Sequence, residues 1–127
     1  MASRFFSCVA ILCISFSAIN AVTREEEAKK YADDLKSKDA KVRLTAIKEL
    51  YKFGGAQKKL IEPHMDRIYD AMKDTDPKVR AEAARTVGIS DPTDKKTAIN
   101  KLAGLLKDEK NEEARAGIET GDRKSVV

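Results

Sequence analysis

His64 is the only imidazole in the chain, flanked by Pro63 and Met65. A general base or a metal ligand needs partners converging on it, a carboxylate to orient the ring or further ligands to close a coordination shell. The only thiols, Cys8 and Cys13, lie in an uncharged apolar run from Phe5 to Ile19, so a Cys/His metal cluster is excluded by count. His64 therefore reads as a helix-start histidine. Acidic residues occur as neighbours, in Glu25-Glu26-Glu27, Asp33-Asp34 and Glu112-Glu113. On a helix such neighbours point in different directions, whereas hydrolysis of a glycosidic bond needs two carboxyl groups facing each other across about 5 to 9.5 Å. Gly54-Gly55-Ala56-Gln57-Lys58-Lys59 lacks the spacing of a phosphate-binding loop, and Gly88-Ile89-Ser90-Asp91-Pro92 lacks that of a nucleophile elbow. No catalytic, metal-binding or cofactor-binding residue is expected, and no enzyme.

The composition agrees with that exclusion. The 127 residues are 42% hydrophobic and 36% charged, without tryptophan, which allows one small domain and no more. Lys and Arg number 25 against 21 Asp and Glu, a net charge of +4 made of two interleaved populations. A dedicated nucleic-acid surface would concentrate its basic residues and interleave aromatics, and this chain does neither, so no nucleic acid is expected as partner.

Residues 1–21 differ from the rest. Arg4, the apolar run ending at Ile19 and the small Ala21 have the pattern of a secretory signal peptide cleaved after Ala21, with Ala18 as second choice. The apolar run is short of the about 20 residues that a spanning helix needs; an uncleaved anchor is the alternative. Cleavage would leave 106 of the 127 residues, without a thiol and therefore without a disulfide. The expected location is secreted or periplasmic.

Beyond residue 37 the chain repeats itself. Asp39-Ala40-Lys41-Val42-Arg43 matches Asp76-Pro77-Lys78-Val79-Arg80 after 37 residues, and Asn111-Glu112-Glu113-Ala114-Arg115 follows after 35 more. Between these copies, the segments 64–74 and 98–108 correspond at a spacing of 34. The unit is two helices, A then B, in about 35 residues. Asp76 can cap the first turn of its helix, Pro77 occupies the position whose N–H is not needed, and Val79 begins the apolar stripe. Val42, Ala46, Ile47, Leu50 and Phe53 recur at helical spacing, as do Val79, Ala83, Ala84 and Val87, with Gly54-Gly55 and Gly88 as expected stops. Met65, Ile68, Tyr69 and Met72 mark one B helix, and Ile99, Leu102, Ala103 and Leu106 the next. Ala28, Tyr31, Ala32 and Leu35 mark a leading B-type helix. No segment alternates with the period of a strand. The expected division is a signal peptide at 1–21, a leading helix at 22–37, about two and a half repeats at 38–120, and a tail at 121–127.

Asp76-Pro77-Lys78-Val79-Arg80, followed by the small Ala81, Ala83 and Ala84, resembles the HEAT repeats, and in particular the short HEAT-like repeats first noted in phycobilisome lyases. The resemblance covers about Lys36 to Ile118. The first copy has Ala40 in place of the proline, and the third lacks both the aspartate and the proline. An all-α fold is implied, a short α-solenoid of HEAT-like helical hairpins. The resemblance also implies a ladder of charge-assisted hydrogen bonds between units formed by Asp39, Asp76, Arg43, Arg80 and Arg115. HEAT-like enzymes that hydroxylate proteins carry His-Glu pairs for iron, and Pro63-His64-Met65 supplies none.

The function expected from these features is an exported helical-repeat module that binds another protein, since solenoids work by surface. Lys58, Lys59, Lys95 and Lys96 fall in the two A-to-B connections, along one edge of a right-handed solenoid, and are candidate contacts for a partner or an anionic surface. The alternatives are an accessory subunit of a HEAT-like lyase or other enzyme, and a degenerate fragment without independent activity. The third copy has no room for a full B helix, and Ala114 and Ile118 are expected to lie poorly covered on a short helix. That end is thus expected to fray first and to be a place for self-association.

Overall fold

The structure, a computed structural model, describes residues 23–90 and 94–126. The expected signal peptide, its cleavage site and both cysteines lie outside the described residues.

Helix α1 spans 23–34 and buries Ala28 and Ala32, with Leu35 in the turn that follows. Its charged residues face outward, which suits the first element of a stack. Helix α2, Ala40–Ala56, starts where Asp39 Oδ1 accepts from the Lys41 N–H at 2.8 Å. It buries Ala46, Ile47 and Leu50 at the spacing of one helical face. Val42, expected in that stripe, is instead the one exposed large hydrophobic residue among the described residues. Two short 3-10 turns, Lys58–Leu60 and Glu62–His64, then carry the chain over the buried Leu60 and Ile61 into α3, Met65–Ala71.

Helix α4, Pro77–Ser90, begins at Asp76, whose Oδ1 accepts from the Lys78 N–H at 2.8 Å. Helix α5, Lys95–Asp108, is capped by Asp94, whose Oδ1 accepts from the Thr97 N–H at 3.0 Å. In α6, Glu112–Val126, the Asn111 amide oxygen plays that part, accepting from the Ala114 N–H at 3.1 Å. Among the described residues there is no strand.

The A helices α2, α4 and α6 pack side by side as one layer, and the B helices α3 and α5 lie against α4 and α6 respectively. This is the two-layer, all-α solenoid of helical hairpins that the repeat implies. α1 heads the B layer, tied by an ion pair from Asp33 to Arg67 of α3 and by the Tyr31 ring tilted at 42° against Phe53, centroids 6.1 Å apart. The core is aliphatic: Ile47, Leu50, Ile61, Ile68, Val79, Val87, Leu102 and Ile118 are fully buried. Each such side chain contributes about 1.5 to 3 kcal/mol of transfer free energy.

The glycines depart from the sequence expectation. Gly54, Gly55 and Gly88 do not stop helices; α2 continues to Ala56 and α4 to Ser90. Gly54 admits Ile61, whose Cδ1 lies 2.5 Å from where a Cβ would stand. The backbones of α4 and α6 approach one another closely. A Cβ on Gly117 would sit 2.6 Å from Ala81 Cβ, and one on Gly88 would sit 2.5 Å from the Gly121 carbonyl oxygen. Gly117 and Gly121 lie four residues apart, so they share a face, and that face meets the small residues of α4 backbone to backbone. Consequently α6 does not end near 120. It runs through the segment expected as a tail, and Ala114 and Ile118 are fully buried.

Candidate functional site

The most organised polar feature is a chain of guanidinium forks joining one unit to the next. Arg43, four residues beyond the Asp39 cap, sits in the first turn of α2. Its Nη1 donates back to the Ser37 and Lys38 carbonyls at 2.9 and 3.1 Å, which orients the fork forward. Nε and Nη2 then donate to the two carboxylate oxygens of Asp74, at 2.7 and 2.9 Å. One unit later the pattern recurs. Arg80 Nη1 donates to the Asp74 and Thr75 carbonyls at 2.8 and 3.2 Å, while Nε and Nη2 donate to Glu109 at 2.5 and 2.9 Å. Paired forks of this kind combine charge with fixed geometry.

Each acceptor carboxylate holds the next cap as well. Asp74 Oδ1 accepts from the Asp76 N–H and Glu109 Oε1 from the Asn111 N–H, both at 2.9 Å. The Asp74 and Glu109 side chains are only 9% and 5% exposed. Burial pushes the Asp74 carboxyl up, yet Arg43 and the Asp76 N–H outweigh it and hold it below its ordinary value. Glu109 is held below its ordinary value by Arg80 against the cost of burial, with the Asn111 and Lys110 N–H groups assisting.

The residues that the resemblance proposed for a ladder divide accordingly. Arg43 and Arg80 bridge the units, but Asp39 and Asp76 do not receive them. Those two aspartates cap helices, because their oxygens face the free N–H groups of their own first turns. Arg115 donates to the Glu109 carbonyl at 3.4 Å and is otherwise exposed, with no carboxylate among the described residues in its fork. The acceptors that sequence reasoning missed stand two residues ahead of each cap, at Ser37, Asp74 and Glu109, with the spacing of the repeat itself. Ser37 Oγ accepts from the Asp39 N–H at 3.2 Å, so the first unit keeps the cap contact and drops the charge.

Lys58 and Lys59 lie in the 3-10 turn leading toward α3, and Lys95 and Lys96 in the first turn of α5; all four are exposed. His64 is half-buried, and its pKa is lowered by burial first and by Arg67 and Lys29 after it, with Asp33 opposing. Among the described residues, no group of three or more His, Cys, Asp or Glu is gathered as a metal site would require, and no helix is long and apolar enough to cross a membrane.

Between α3 and α5 a groove of about 390 Å³ opens, floored by Met72 and Leu105 and bridged at one point by Lys101, whose Nζ lies 4.4 Å from the Tyr69 ring centroid. Lys101 occupies the position one repeat beyond Arg67, which reaches back from α3 to α1 in the same manner. The B helices are thus linked by single cations, whereas the A helices are linked by forks.

A family model for HEAT repeats matches residues 32–120, the span from the end of α1 to the middle of α6. The chain belongs to the HEAT-repeat family. Among curated proteins and among solved structures nothing matches it. HEAT repeats commonly serve as protein-interaction scaffolds and are typically non-catalytic.

Proposed function

We propose that this HEAT-repeat chain is exported and acts by binding another protein, with no catalysis of its own. The observation that supports this reading best is the fork chain Arg43–Asp74, Arg80–Glu109. It commits these part-buried charges to stacking the units, and so holds the loops and B helices as one fixed surface. A fixed surface loses little entropy when a partner docks. Lys58 and Lys59 of the 3-10 turn after α2, and Lys95 and Lys96, which lie in the first turn of α5 and not in the connection before it, are exposed and are the proposed contacts for an acidic face of the partner. Export is supported by the pattern of Arg4, the apolar run and Ala21. The motif Asp76-Pro77-Lys78-Val79-Arg80 supports kinship with the short HEAT-like repeats first noted in phycobilisome lyases.

Two measurements test the reading. A reporter fused behind residues 1–24 should leave the cytoplasm, and the secreted product should begin at Val22; a cytosolic reporter overturns the export. Cross-linking capture with the tagged chain should recover a protein that the variant Lys58→Glu, Lys59→Glu, Lys95→Glu, Lys96→Glu does not. Equal recovery by both forms removes the lysine edge as the contact.

A further inference from the structure

Val42 is the exception in the apolar stripe of the A helices. It is 38% exposed, whereas Val79 and Ala114, its equivalents one and two units later, are fully buried. The cause is its place in the stack. α4 packs against α2, and α6 against α4, but among the described residues no A helix stands ahead of α2. The B layer starts one element earlier, with α1. A hollow of about 230 Å³ marks the gap, lined by Tyr31 and Asp34 of α1 and by Lys41, Val42, Thr45 and Ala46 of α2.

In each later unit the A helix directly precedes its B helix, so the helix wanted ahead of α2 is one that directly precedes α1. The sequence there has the length and the register. The uncharged run 5–19 has 15 residues, against 17, 14 and 15 for α2, α4 and α6. Three residues, 20–22, separate it from α1, and three residues span at most about 11 Å. At a spacing of 36 residues, Ser3 aligns with the Asp39 cap, and Ala10, Ile11 and Ile14 align with Ala46, Ile47 and Leu50, which are fully buried. The later A helices follow one another at 37 and 35.

We propose that residues 5–19, for as long as they remain attached, pack ahead of α2 as the A helix of a leading unit whose B helix is α1. The inference goes beyond the binding function and concerns the chain before the cleavage proposed after Ala21. Packing covers Val42 and fills the hollow, and cleavage uncovers both. The α4–α6 crossing supplies the contact. Ala81 there meets the Gly117 position, and two units earlier the same two positions are Cys8 and Thr45. Both are small, as a close crossing of helices needs. The far stripe of such a helix, Phe6, Val9, Cys13 and Phe16, stays apolar and open to the export apparatus.

The test uses the full chain with Thr45→Cys, an exposed position, oxidised with glutathione disulfide and mapped by mass spectrometry of peptides from the monomer fraction. The introduced thiol should join Cys8 in preference to Cys13, since only Cys8 lies opposite it in the crossing. With Glu119→Cys instead, exposed at the other end of the stack, neither native cysteine should be joined. Equal joining to Cys8 and Cys13, joining to neither, or joining from position 119 would overturn the packing. Val42→Gln in the full chain reads the same contact without a cross-link. It should lower the melting temperature by several degrees, as for a valine covered by a neighbouring helix; an unchanged value, the result for an exposed valine, also overturns the packing. Export is read separately, because the reporter behind residues 1–24 carries no repeat. The link to Cys8 upholds the packing even where that reporter stays cytosolic, and an exported reporter without the link leaves export standing and removes the packing.

Discussion

Arg80 and Glu109 are 29 residues apart in the chain and meet through two hydrogen bonds of 2.5 and 2.9 Å. The same arginine also holds the Asp74 carbonyl at 2.8 Å, and Asp74 is the carboxylate that receives Arg43. One guanidinium therefore joins two successive rungs of the ladder. The ladder is continuous because each acceptor is fastened to the turn that positions the next donor.

Arg80→Ala should destabilise the chain by about 2 kcal/mol, since it removes a charge-assisted pair and strands the buried Glu109 carboxylate. Lys78→Ala, two residues earlier on the exposed face, should cost less than about 0.5 kcal/mol. Arg80→Lys should fall between them, keeping the charge and losing the fork. Urea unfolding of the three variants checks this, and equal midpoints would dismiss the ladder as a source of stability.

Asp74 and Glu109 both titrate below their ordinary values of 3.8 and 4.5 in the folded chain. The unfolded state therefore takes up protons first on acidification. Their contribution is complete above the ordinary carboxylate range and is lost as the pH falls through that range and the lowered folded values. Melting temperature against pH should fall below about pH 4.5, the ordinary value for glutamate. The double variant Asp74→Asn, Glu109→Gln should start lower and fall less steeply.

His64 adds a separate, smaller slope. Burial and the neighbouring Arg67 and Lys29 lower its pKa from 6.5, so the folded state disfavours the imidazolium. Stability should decline as the pH drops from about 6.5 toward the carboxylate range, and His64→Gln should flatten that interval while leaving the acid limb unchanged. An unaltered profile in the variant would show that His64 takes no part.

Gly117→Ala and Gly121→Ala should each destabilise by about 1 to 3 kcal/mol, against the helix propensity of alanine, because the added methyl meets α4. At Gly117 it would meet Ala81 Cβ at 2.6 Å, and at Gly121 it would meet the Ala84 carbonyl oxygen. Calorimetry on the two variants decides, and a rise in melting temperature for either would mean that α4 and α6 separate readily.

The amide of Ile118 should exchange as slowly as those of Val79 and Ala83. Sequence reasoning expects fraying at this end, from the poor helix propensity of Gly117 and the absence of a following B helix. The structure places Ile118 and Ala114 at full burial on the helix that packs against α4 and α5, and exposes Glu113, Arg115, Glu119 and Arg123 on the outer face. α6 thus has the polar outer face of a terminal unit. The apolar surface that would have driven self-association there is covered. Native-state hydrogen exchange measures this, and fast exchange at Ile118 would return the helix to a frayed end.

What could be read from the residues was local or periodic. Asp39 and Asp76 cap their helices because an aspartate oxygen reaches its own first turn whatever lies beyond, and the aliphatic stripes repeat because helical pitch is a property of the backbone. The recurrence of Asp-x-x-Val-Arg also carried the solenoid, since like units bury their faces against one another. The partners across units were not readable in that way. Arg43 and Arg80 choose Asp74 and Glu109 because the following unit, folded back against its predecessor, brings those carboxylates to between 2.5 and 2.9 Å from the forks. Gly88, Gly117 and Gly121 look like breaks in one dimension, yet each is demanded by a second helix lying against it. Gly104, which has the same local propensity, faces open space. The difference lies in what packs opposite each glycine, and that is set by how the helices stack.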